Sequence, residues 1–314
     1  MAFSRPRHIP VKELQRKPPT LVQLAKGSAY MLEFSRIEAR RPIPDVAHHR
    51  ISEPAQTTGF AVGLARSWSE VEAAQRLRYE VFTEDMGAIF PNAVNGVDED
   101  RFDAWCEHLI VRELTTGRVV GTYRILGPKQ ARQAGNYYSE SEFDLTGLAS
   151  IRSELVEFGR SCTHRDYRSG AVIMLLWSGL AEFLRRANYR YVLGCASVSL
   201  RDDGATAAGV YRAVAEQLAF PGPLQVSPLH RLPVERLDAD LPTRVPPLIK
   251  GYLKLGARVC GEPAWDPDFN TADFPMLLSV DTMDDRYRRH FNLAPGVAQP
   301  SQQTANSAEL QVQA

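Results

Sequence analysis

Glu157 and Arg160 are the residues best suited to acid–base chemistry, and they flank Gly159 in the apolar segment 154–163. The segment suits a buried strand, in which a glycine often marks a β-bulge. A buried carboxylate must be paired or have a raised pKa, and either would suit a general base. A bulge at Gly159 would place both side chains on one face of the strand. A structural ion pair is an equally good interpretation.

A basic turn follows this strand and leads into an apolar helix predicted over 171–187. The turn carries Arg165 and Arg168 and ends in Ser169 and Gly170. Free N–H groups at a helix N-terminus bind anions, and phosphate is a common ligand there. The turn therefore predicts a phosphate site, with exposed solubilising charge as the alternative.

Carboxylates crowd the loop 95–103, which includes Asp98, Asp100 and Asp103. The loop lacks the ligand spacing of a calcium loop, so it could hold a cationic amino group, with a solvated acidic loop as the alternative. Arg78 lies beside the apolar stripe of the preceding predicted helix, where arginines usually snorkel or pair at the edge of a core.

Hydrophobic periodicity predicts the elements that must position these residues. In order, they are a strand at 60–65, a helix capped by Ser67 or Ser69, a hairpin over 107–126, a strand at 154–163, the helix 171–187, a strand at 189–197, helices at 204–220 and 247–255, and strands at 258–260 and 275–280. A strand–helix–strand crossover of this length implies parallel neighbours. The sequence thus predicts a mixed α/β sheet with a central parallel pair, and a surface excursion over the site at 127–148.

Composition excludes several classes of protein. The 314 residues carry a formal net charge of zero, which argues against a dedicated nucleic-acid binder. Four scattered cysteines form no CxxC pair and no metal-ligand spacing, so we expect a reduced, cytoplasmic protein without a metal site. We expect neither a signal peptide nor a membrane span, so any membrane contact would be peripheral.

Three regions are predicted: a basic, Pro-rich mobile arm over 1–57, a folded domain over 58–291 and a disordered tail over 292–314. Residues 1–55 contain ten Lys and Arg against five Asp and Glu. The arm could therefore lie on the anionic inner surface of a membrane or touch an acidic partner. A solvated arm without a role is an equally good interpretation.

Seven short motifs within residues 60–290 carry a family resemblance. They are RLRYEVFTEDMG (76–87), DRFD (100–103), VVGTYR (119–124), EFGRS (157–161), GCAS (194–197), PPLIKGYLKLG (246–256) and DFNT (268–271). In this order they resemble the L-ornithine N-alpha-acyltransferases of ornithine-lipid synthesis, a branch of the GCN5-related N-acyltransferase fold. The branch is similar to the acyl-homoserine-lactone synthases, whose shared signature falls here on Arg78, Phe82, Asp100, Asp103, Arg124, Glu157 and Arg160.

The resemblance implies transfer of a 3-hydroxy fatty acyl group from acyl carrier protein to the α-amine of L-ornithine, giving lyso-ornithine lipid. The amine must lose a proton, and Glu157, with Arg160 beside it, is the candidate base. Backbone N–H groups near 159–161 would stabilise the oxyanion. Tyr252, by analogy with the Y-x-x-x-G helix of the fold, would protonate the departing thiolate, with a packing tyrosine as the alternative.

The same resemblance assigns the substrate contacts. Asp100 and Asp103 would hold the side-chain ammonium of ornithine, and Arg78, Arg124 or Arg160 its carboxylate. The acyl and phosphopantetheine contacts would fall on Ser161, Arg165, Arg168, Ser169, Gly170 and Trp177. The acyl slot would lie beside Val172, Leu176 and Trp177, with ordinary core as the alternative.

The sequence leaves alternatives for the identity of the acyl donor and of the acceptor. The pyrophosphate loop (Q/R)-x-x-G-x-(G/A) of the fold is poorly kept in RDYRSGA (165–171). This favours the single phosphate of a carrier-bound phosphopantetheine, with acyl-CoA as the alternative donor and no tightly bound cofactor. An acyl-homoserine-lactone synthase, a CoA-dependent N-acetyltransferase and a catalytically silent membrane-surface module are the competing functions.

Overall fold

The computed structural model describes residues 55–57, 59–90, 93, 95–215, 224–237 and 245–293. Three predicted segments lie outside these ranges. They are the arm apart from residues 55–57, the tail from residue 294 onward, and residues 216–220 at the end of a predicted helix. Within the described ranges, no helix combines the length and the hydropathy that crossing a membrane requires.

The described part of the chain contains six α-helices and eleven strands. The helices are α1 (Trp68–Met86), α2 (Pro128–Ala134), α3 (Ala171–Ala187), α4 (Ala205–Ala215), α5 (Pro247–Leu255) and α6 (Asp285–His290). The strands are β1 (Ala55–Thr57), β2 (Phe60–Leu64), β3 (Glu107–Glu113), β4 (Val119–Leu126), β5 (Phe143–Asp144), β6 (Leu155–Thr163), β7 (Tyr191–Ser199), β8 (Ser227–Pro228), β9 (Arg258–Val259), β10 (Ala264–Asp266) and β11 (Thr271–Ser279). Ser67 caps α1, because its hydroxyl accepts a hydrogen bond from the N–H of Glu70 at 3.3 Å.

The main sheet runs in the order β1-β2-β3-β4-β6-β7-β11-β10, and β9 also pairs with β11. β6 and β7 are parallel, and the remaining pairs among the described strands are antiparallel. The connection between β6 and β7 is α3, a crossover helix. The predicted mixed sheet with a central parallel pair is confirmed.

The parallel pairing is short. It joins residues 155–157 to residues 191–193, whereas β6 continues to Thr163 and β7 to Ser199. The two strands therefore separate just beyond Glu157 and Leu193. We call this opening between the unpaired ends of β6 and β7 the gap.

β6 carries a bulge, one residue later than the sequence predicted. Arg124 pairs with Gly159 and Thr122 with Cys162, so Arg160 and Ser161 both lie opposite Tyr123. Arg160 has a φ of 49°, a left-handed conformation that is uncommon outside glycine. As predicted, the bulge brings the side chains of Glu157 and Arg160 to the same face of the sheet.

Glu157 and Arg160 lie on one face of the sheet. Glu157 accepts a hydrogen bond from the backbone of Tyr138, and the guanidinium of Arg160 lies 4.9 Å from the centroid of the Tyr138 ring. The intervening Phe158 points to the opposite face, where it packs against the α3 core. We call these the α1 face and the α3 face, after the helices that cover them.

The segment 127–148 is not the polar surface excursion that the sequence predicted. It contains α2 and buries Tyr137, Phe143 and Leu148, each at most 1% exposed, in a separate apolar cluster on the α1 face. Phe143 stands between Glu142 and Asp144 in a segment that is polar on average, and this average polarity hid the core positions.

β11 is longer than predicted. It begins at Thr271 rather than 275 and pairs with β7 along its whole length, from Thr271–Ser199 to Ser279–Tyr191. Asp273 interrupts the apolar pattern near the start of the strand, which is why periodicity placed the boundary too late. β11 therefore brings polar side chains to the α1 face beside the gap.

Candidate active site

An apolar cavity of about 100 Å³ lies on the α3 face, between α3, β7, β11 and α5. Along α3 it is lined by Trp177, then Leu180 and Ala181, and then Leu184. A crossover helix runs antiparallel to the strands it joins, so these residues lie at increasing distance from the gap. The cavity has the apolar lining that a fatty acyl chain requires.

Only part of the predicted acyl slot lines this cavity. Trp177 does so, whereas Val172 and Leu176 pack under β4 at Gly121. A Cβ added to Gly121 would lie 2.5 Å from Val172 and 3.2 Å from Leu176. These two residues are therefore ordinary core, which was the alternative interpretation.

Polar groups gather where the cavity meets the gap. The hydroxyls of Tyr123 and Tyr252 hydrogen-bond to each other, and both residues line the cavity. Burial raises the pKa of each tyrosine, and a hydrogen bond with Ser161 partly offsets the rise. The ring of Trp177 lies 6.0 Å from that of Tyr252. The structure thus brings together three predicted residues, Tyr252, Ser161 and Trp177.

Glu157 is 4% exposed and lies on the α1 face at the point where the gap opens. Its oxygens accept hydrogen bonds from the backbone N–H groups of Tyr138 and Ser139, each at 2.8 Å, and from the hydroxyl of Ser139. Burial raises the pKa of Glu157, and these hydrogen bonds partly offset the rise. Glu157 therefore holds a proton more readily than an exposed glutamate does.

Ser139 lies between Glu157 and β7 at the gap. The Ser139 hydroxyl lies 3.5 Å from Sγ of Cys195, whose side chain is on the α1 face with Leu193. Glu157 does not line the cavity, because strand alternation sends Phe158 to the α3 face and Glu157 to the α1 face. The buried proton acceptor and the Ser139 hydroxyl thus lie on one face of the gap and the apolar cavity on the other.

The carboxylates of the acidic loop are occupied by arginines. Arg78, which is 0% exposed, donates to Asp98 at 2.8 Å and to both oxygens of Asp103 at 2.9 Å. Arg124 pairs with Asp100 at 2.7 Å and with Asp103 at 3.3 Å. Although burial alone would raise it, these arginines hold the pKa of Asp103 well below its usual range.

In this ion-pair network, the residues that were predicted to bind substrate have a structural role. Asp100 and Asp103 were predicted to bind the ammonium of ornithine, and Arg78 and Arg124 its carboxylate, but in the structure these residues pair with one another. The network ties the loop to α1 and β4, and breaking a buried pair leaves an uncompensated charge. Phe82, 5% exposed, packs edge-to-face on Phe269 at 5.8 Å on the same side.

Arg160 differs from the other two arginines. Its side chain is 12% exposed and forms ion pairs with Asp98 at 3.5 Å and Asp100 at 3.2 Å. The guanidinium lies over the Tyr138 and Phe269 rings, at 4.9 Å and 4.7 Å. Its buried Nε, the atom nearest Asp98, makes no hydrogen bond to a described residue. Arg160 is thus the most exposed and most loosely paired arginine of the network, and the one best placed to bind an anion.

The predicted phosphate turn lies at the N-terminus of α3. Gly170, with a φ of 98°, is the N-cap, and no side chain caps the helix. Arg165 and Arg168 are exposed and pair with Glu84 at 3.2 Å and Asp85 at 2.6 Å, near the end of α1. The first-turn N–H groups of a 17-residue helix are therefore free of a side-chain acceptor at the open end of the gap.

Sequence reasoning missed a group of carboxylates on the α1 face. Glu142, Asp266 and Asp273 come together beside β7. Asp273 gave the one usable signal, since an aspartate inside an otherwise apolar strand is unusual. Glu142 and Asp266 lie in segments where an acidic residue attracts no attention.

Comparison with known proteins agrees with this geometry. The acetyltransferase (GNAT) domain profile matches residues 77–178, from α1 into α3. The chain therefore has the fold of a GNAT N-acyltransferase. An L-ornithine N(alpha)-acyltransferase of Rhodobacter capsulatus is 33% identical over 250 residues, covering 76% of this chain and 96% of the relative. Its namesake from Brucella abortus is 34% identical over 246 residues, covering 73% and 88%.

The chain belongs to the L-ornithine Nα-acyltransferase family, as the motifs indicated. Among solved structures, BjaI, a CoA-dependent acyl-homoserine lactone synthase with SAM and isopentyl-CoA, aligns with a TM-score of 0.40 at 15% identity. That alignment covers 72% of this chain and 82% of the other.

Proposed function

We propose that this chain transfers a 3-hydroxy fatty acyl group from acyl carrier protein to the α-amine of L-ornithine, forming lyso-ornithine lipid. The observation that carries the proposal is the match to relatives of that name, which extends over 96% and 88% of their lengths. The apolar cavity beside the gap supports a fatty acyl donor rather than an acetyl donor.

The gap gives each substrate its own side of the sheet. The acyl chain occupies the cavity on the α3 face, and the thioester lies in the gap near Tyr252. Ornithine approaches from the α1 face, so that its α-amine meets the thioester between β6 and β7. Backbone N–H groups on the unpaired edge of β6 at the bulge near Ser161 stabilise the oxyanion.

Glu157 is the final proton acceptor in this mechanism. The α-amine passes a proton to the Ser139 hydroxyl, which delivers its own proton to the carboxylate that it already contacts. The raised pKa of Glu157 favours this transfer over that to an exposed carboxylate. The departing thiolate accepts a hydrogen bond from Tyr252, whose hydroxyl stays protonated because burial raises its pKa. In place of the predicted transfer from Tyr252, the thiolate takes its proton from water as the carrier leaves.

Arg160 binds the α-carboxylate of ornithine. Arg78 and Arg124 are the other two candidates, but their guanidiniums are buried and paired with Asp98, Asp100 and Asp103. The Arg160 side chain is 12% exposed, and its Nε–H makes no hydrogen bond to a described residue, although it lies 3.5 Å from a carboxylate oxygen of Asp98. We therefore assign to Asp100 and Asp103 the holding of these arginines, in place of the predicted binding of ornithine.

The phosphopantetheine phosphate binds at the N-terminus of α3, over Ser169 and Gly170. Arg165 and Arg168 stand exposed beside it, where they can meet the acidic surface of a carrier protein. Their ion pairs with α1 would be exchanged for contacts with the carrier. The basic arm would keep the protein peripheral to the inner membrane, where the product is delivered.

The test is acyl transfer by the purified protein. 3-Hydroxyacyl carrier protein and the matching acyl-CoA are each incubated with ornithine, and products are identified by tandem mass spectrometry. We expect Nα-acylornithine, formed faster from the carrier protein. Acylation of the δ-amine, or acylation of homoserine lactone in preference to ornithine, would refute the proposal. Expression in a host without ornithine lipids should yield the lyso-lipid.

A further inference from the structure

Three carboxylates from separate chain segments meet on the α1 face beside the gap. Glu142 precedes β5, Asp266 ends β10 and Asp273 lies in β11, and one oxygen from each lies within 4.8 Å of the others. Glu142 and Asp273 are 8% and 3% exposed. Asp273 is the register partner of Ser197 on β7, the strand that forms one wall of the gap. No step of the proposed mechanism uses this cluster.

The cluster is short of hydrogen-bond donors. Both oxygens of Glu142, Oδ1 of Asp273 and the hydroxyl of Thr271 are buried and have no hydrogen-bond partner among the described residues. Thr271 is 0% exposed, and its hydroxyl lies against Asp273. Buried polar atoms are rarely left unsatisfied in this way. Glu142 and Asp273 can satisfy each other only by sharing a proton, and a ligand that donates hydrogen bonds would satisfy both without it.

The cluster also lacks a dedicated cation. Burial and the nearby Asp273 raise the pKa of Glu142, and they raise the pKa of Asp266 to about 6. Arg160 is the positive group that offsets part of this for Glu142 and Asp273. Its ion pairs, however, are with Asp98 and Asp100 on its other side. Without a cation these carboxyls therefore tend to hold protons, and a cation entering from the α1 face would displace the protons and pair with the carboxylates.

We propose that Glu142, Asp266 and Asp273 form the subsite for the side-chain ammonium of ornithine. This inference rests on the proposed function and names the part of the site that recognises the acceptor. An ammonium has three N–H donors, one for each carboxylate. Oxygens placed tetrahedrally around a nitrogen at ~2.8 Å stand about 4.6 Å apart, which fits within the observed separation.

The subsite completes a three-point contact with the amino acid. The cluster takes the side-chain ammonium, Arg160 takes the α-carboxylate, and the α-amine is left facing Ser139 and the gap. Because the two amines of ornithine then lie in different surroundings, the α-amine alone meets the thioester. The cluster thus acts on acceptor selectivity and on which amine reacts, not on proton transfer.

The experiment compares ornithine with norvaline, which has the same carbon chain without the terminal amine. For the wild-type protein we expect kcat/KM to be roughly 30-fold or more higher for ornithine, since a charged hydrogen-bonded group is lost. In Glu142→Gln/Asp273→Asn the preference should fall to within about threefold, mainly through KM for ornithine. The matched control is Asp268→Asn, which changes an exposed aspartate between β10 and β11 and should keep the wild-type preference.

Two results would overturn the subsite. One is wild-type kcat/KM for norvaline within about threefold of that for ornithine, a comparison that needs no variant to fold. The other is a stoichiometric divalent metal in the wild-type protein by elemental analysis that is absent from the double variant, because the cluster would then be a metal site.

A binding measurement distinguishes a failure of the proposed subsite from a failure of the proposed function. Ornithine, but not norvaline, should raise the melting temperature of the wild-type protein, and the double variant should lose this rise. That result with no acyl transfer would keep the subsite and refute the proposed function. Transfer to ornithine with equal melting shifts for the two amino acids would refute the subsite alone, and the absence of any shift would also count against it.

Discussion

Ser139 donates both its backbone N–H and its hydroxyl to the same oxygen, Oε1, of Glu157. The same hydroxyl lies 3.5 Å from Sγ of Cys195 on β7, the strand that forms one wall of the gap. One serine therefore lies between the buried carboxylate and the gap in which we place the thioester. The catalytic proposal depends on this contact, because Glu157 does not reach the cavity itself.

Ser139→Ala should slow transfer and move its pH dependence. Loss of the hydroxyl removes the proton relay and one donor that lowers the pKa of Glu157. The pKa of the base should rise further, so the acid limb of kcat/KM against pH should shift to higher pH, with a roughly tenfold or larger loss of kcat. Ser139→Thr, which keeps the hydroxyl, should recover most of the rate. A profile for Ser139→Ala that matches wild type would remove Ser139 from proton transfer.

Ala181→Phe should shorten the acyl chains that are accepted. Ala181 lines the cavity one turn beyond Trp177, so a larger side chain there fills the deeper part and leaves the gap unchanged. We expect kcat/KM for long-chain donors to fall tenfold or more, while that for short chains is retained. Leu184→Phe, one turn deeper, should affect only the longest donors. Unaltered chain-length profiles in both variants would mean that the acyl chain binds elsewhere.

Arg78→Met should destabilise the fold by about 3–5 kcal/mol, because it removes the buried cation nearest to both Asp98 and Asp103 and leaves them only longer ion pairs, with Arg160 and Arg124. Arg76→Met is the matched control on the same helix. Arg76 is 51% exposed and pairs with Glu72, so its loss should cost less than about 1 kcal/mol. Urea unfolding measures both. Equal and small losses for the two variants would show that the network does not hold the acidic loop.

Glu107→Gln should stabilise the protein at alkaline pH. Burial raises the pKa of Glu107 from 4.5 to about 7, so the folded state binds its proton more tightly than the unfolded chain does. The penalty is absent below pH 4.5, grows up to pH 7 and reaches about 3 kcal/mol above it. The variant should therefore exceed the wild type in free energy of unfolding at pH 8 and equal it near pH 4. A pH-independent difference would contradict the assignment.

The fold could be predicted from the sequence where local pattern and connection length agreed. The crossover helix between two apolar strands was enough to predict the parallel pair, and Ser67 was one of two predicted caps of α1. The segment around Tyr137 was missed because three buried aromatic and aliphatic residues stood among polar ones, and tertiary packing decided their burial. The start of β11 was missed because Asp273 broke its apolar pattern.

The candidate site was predicted less completely than the fold. The bulge predicted from Gly159 placed Glu157 and Arg160 on one face, although the structure has the bulge at Arg160, in a left-handed conformation that the sequence did not indicate. Sequence spacing gives no information on which charges pair between distant segments, so the acidic loop was interpreted as a candidate substrate site. The loop instead holds arginines from α1, β4 and β6. The Glu142 cluster joins segments far apart in the chain, and only the folded structure brings them together.

The most direct measurement of the central claim is the pH dependence of kcat/KM for Glu157→Gln. Glu154→Gln is the matched control, since Glu154 is the exposed carboxylate just before the same strand, 42% exposed and paired with Arg190. The control should follow the wild-type profile, which rises with pH as Glu157 ionises. Glu157→Gln, folded by circular dichroism, should lose that acid limb and at least roughly 100-fold of the rate. A Glu157→Gln profile that superimposes on that of the wild type would contradict Glu157 as the proton acceptor.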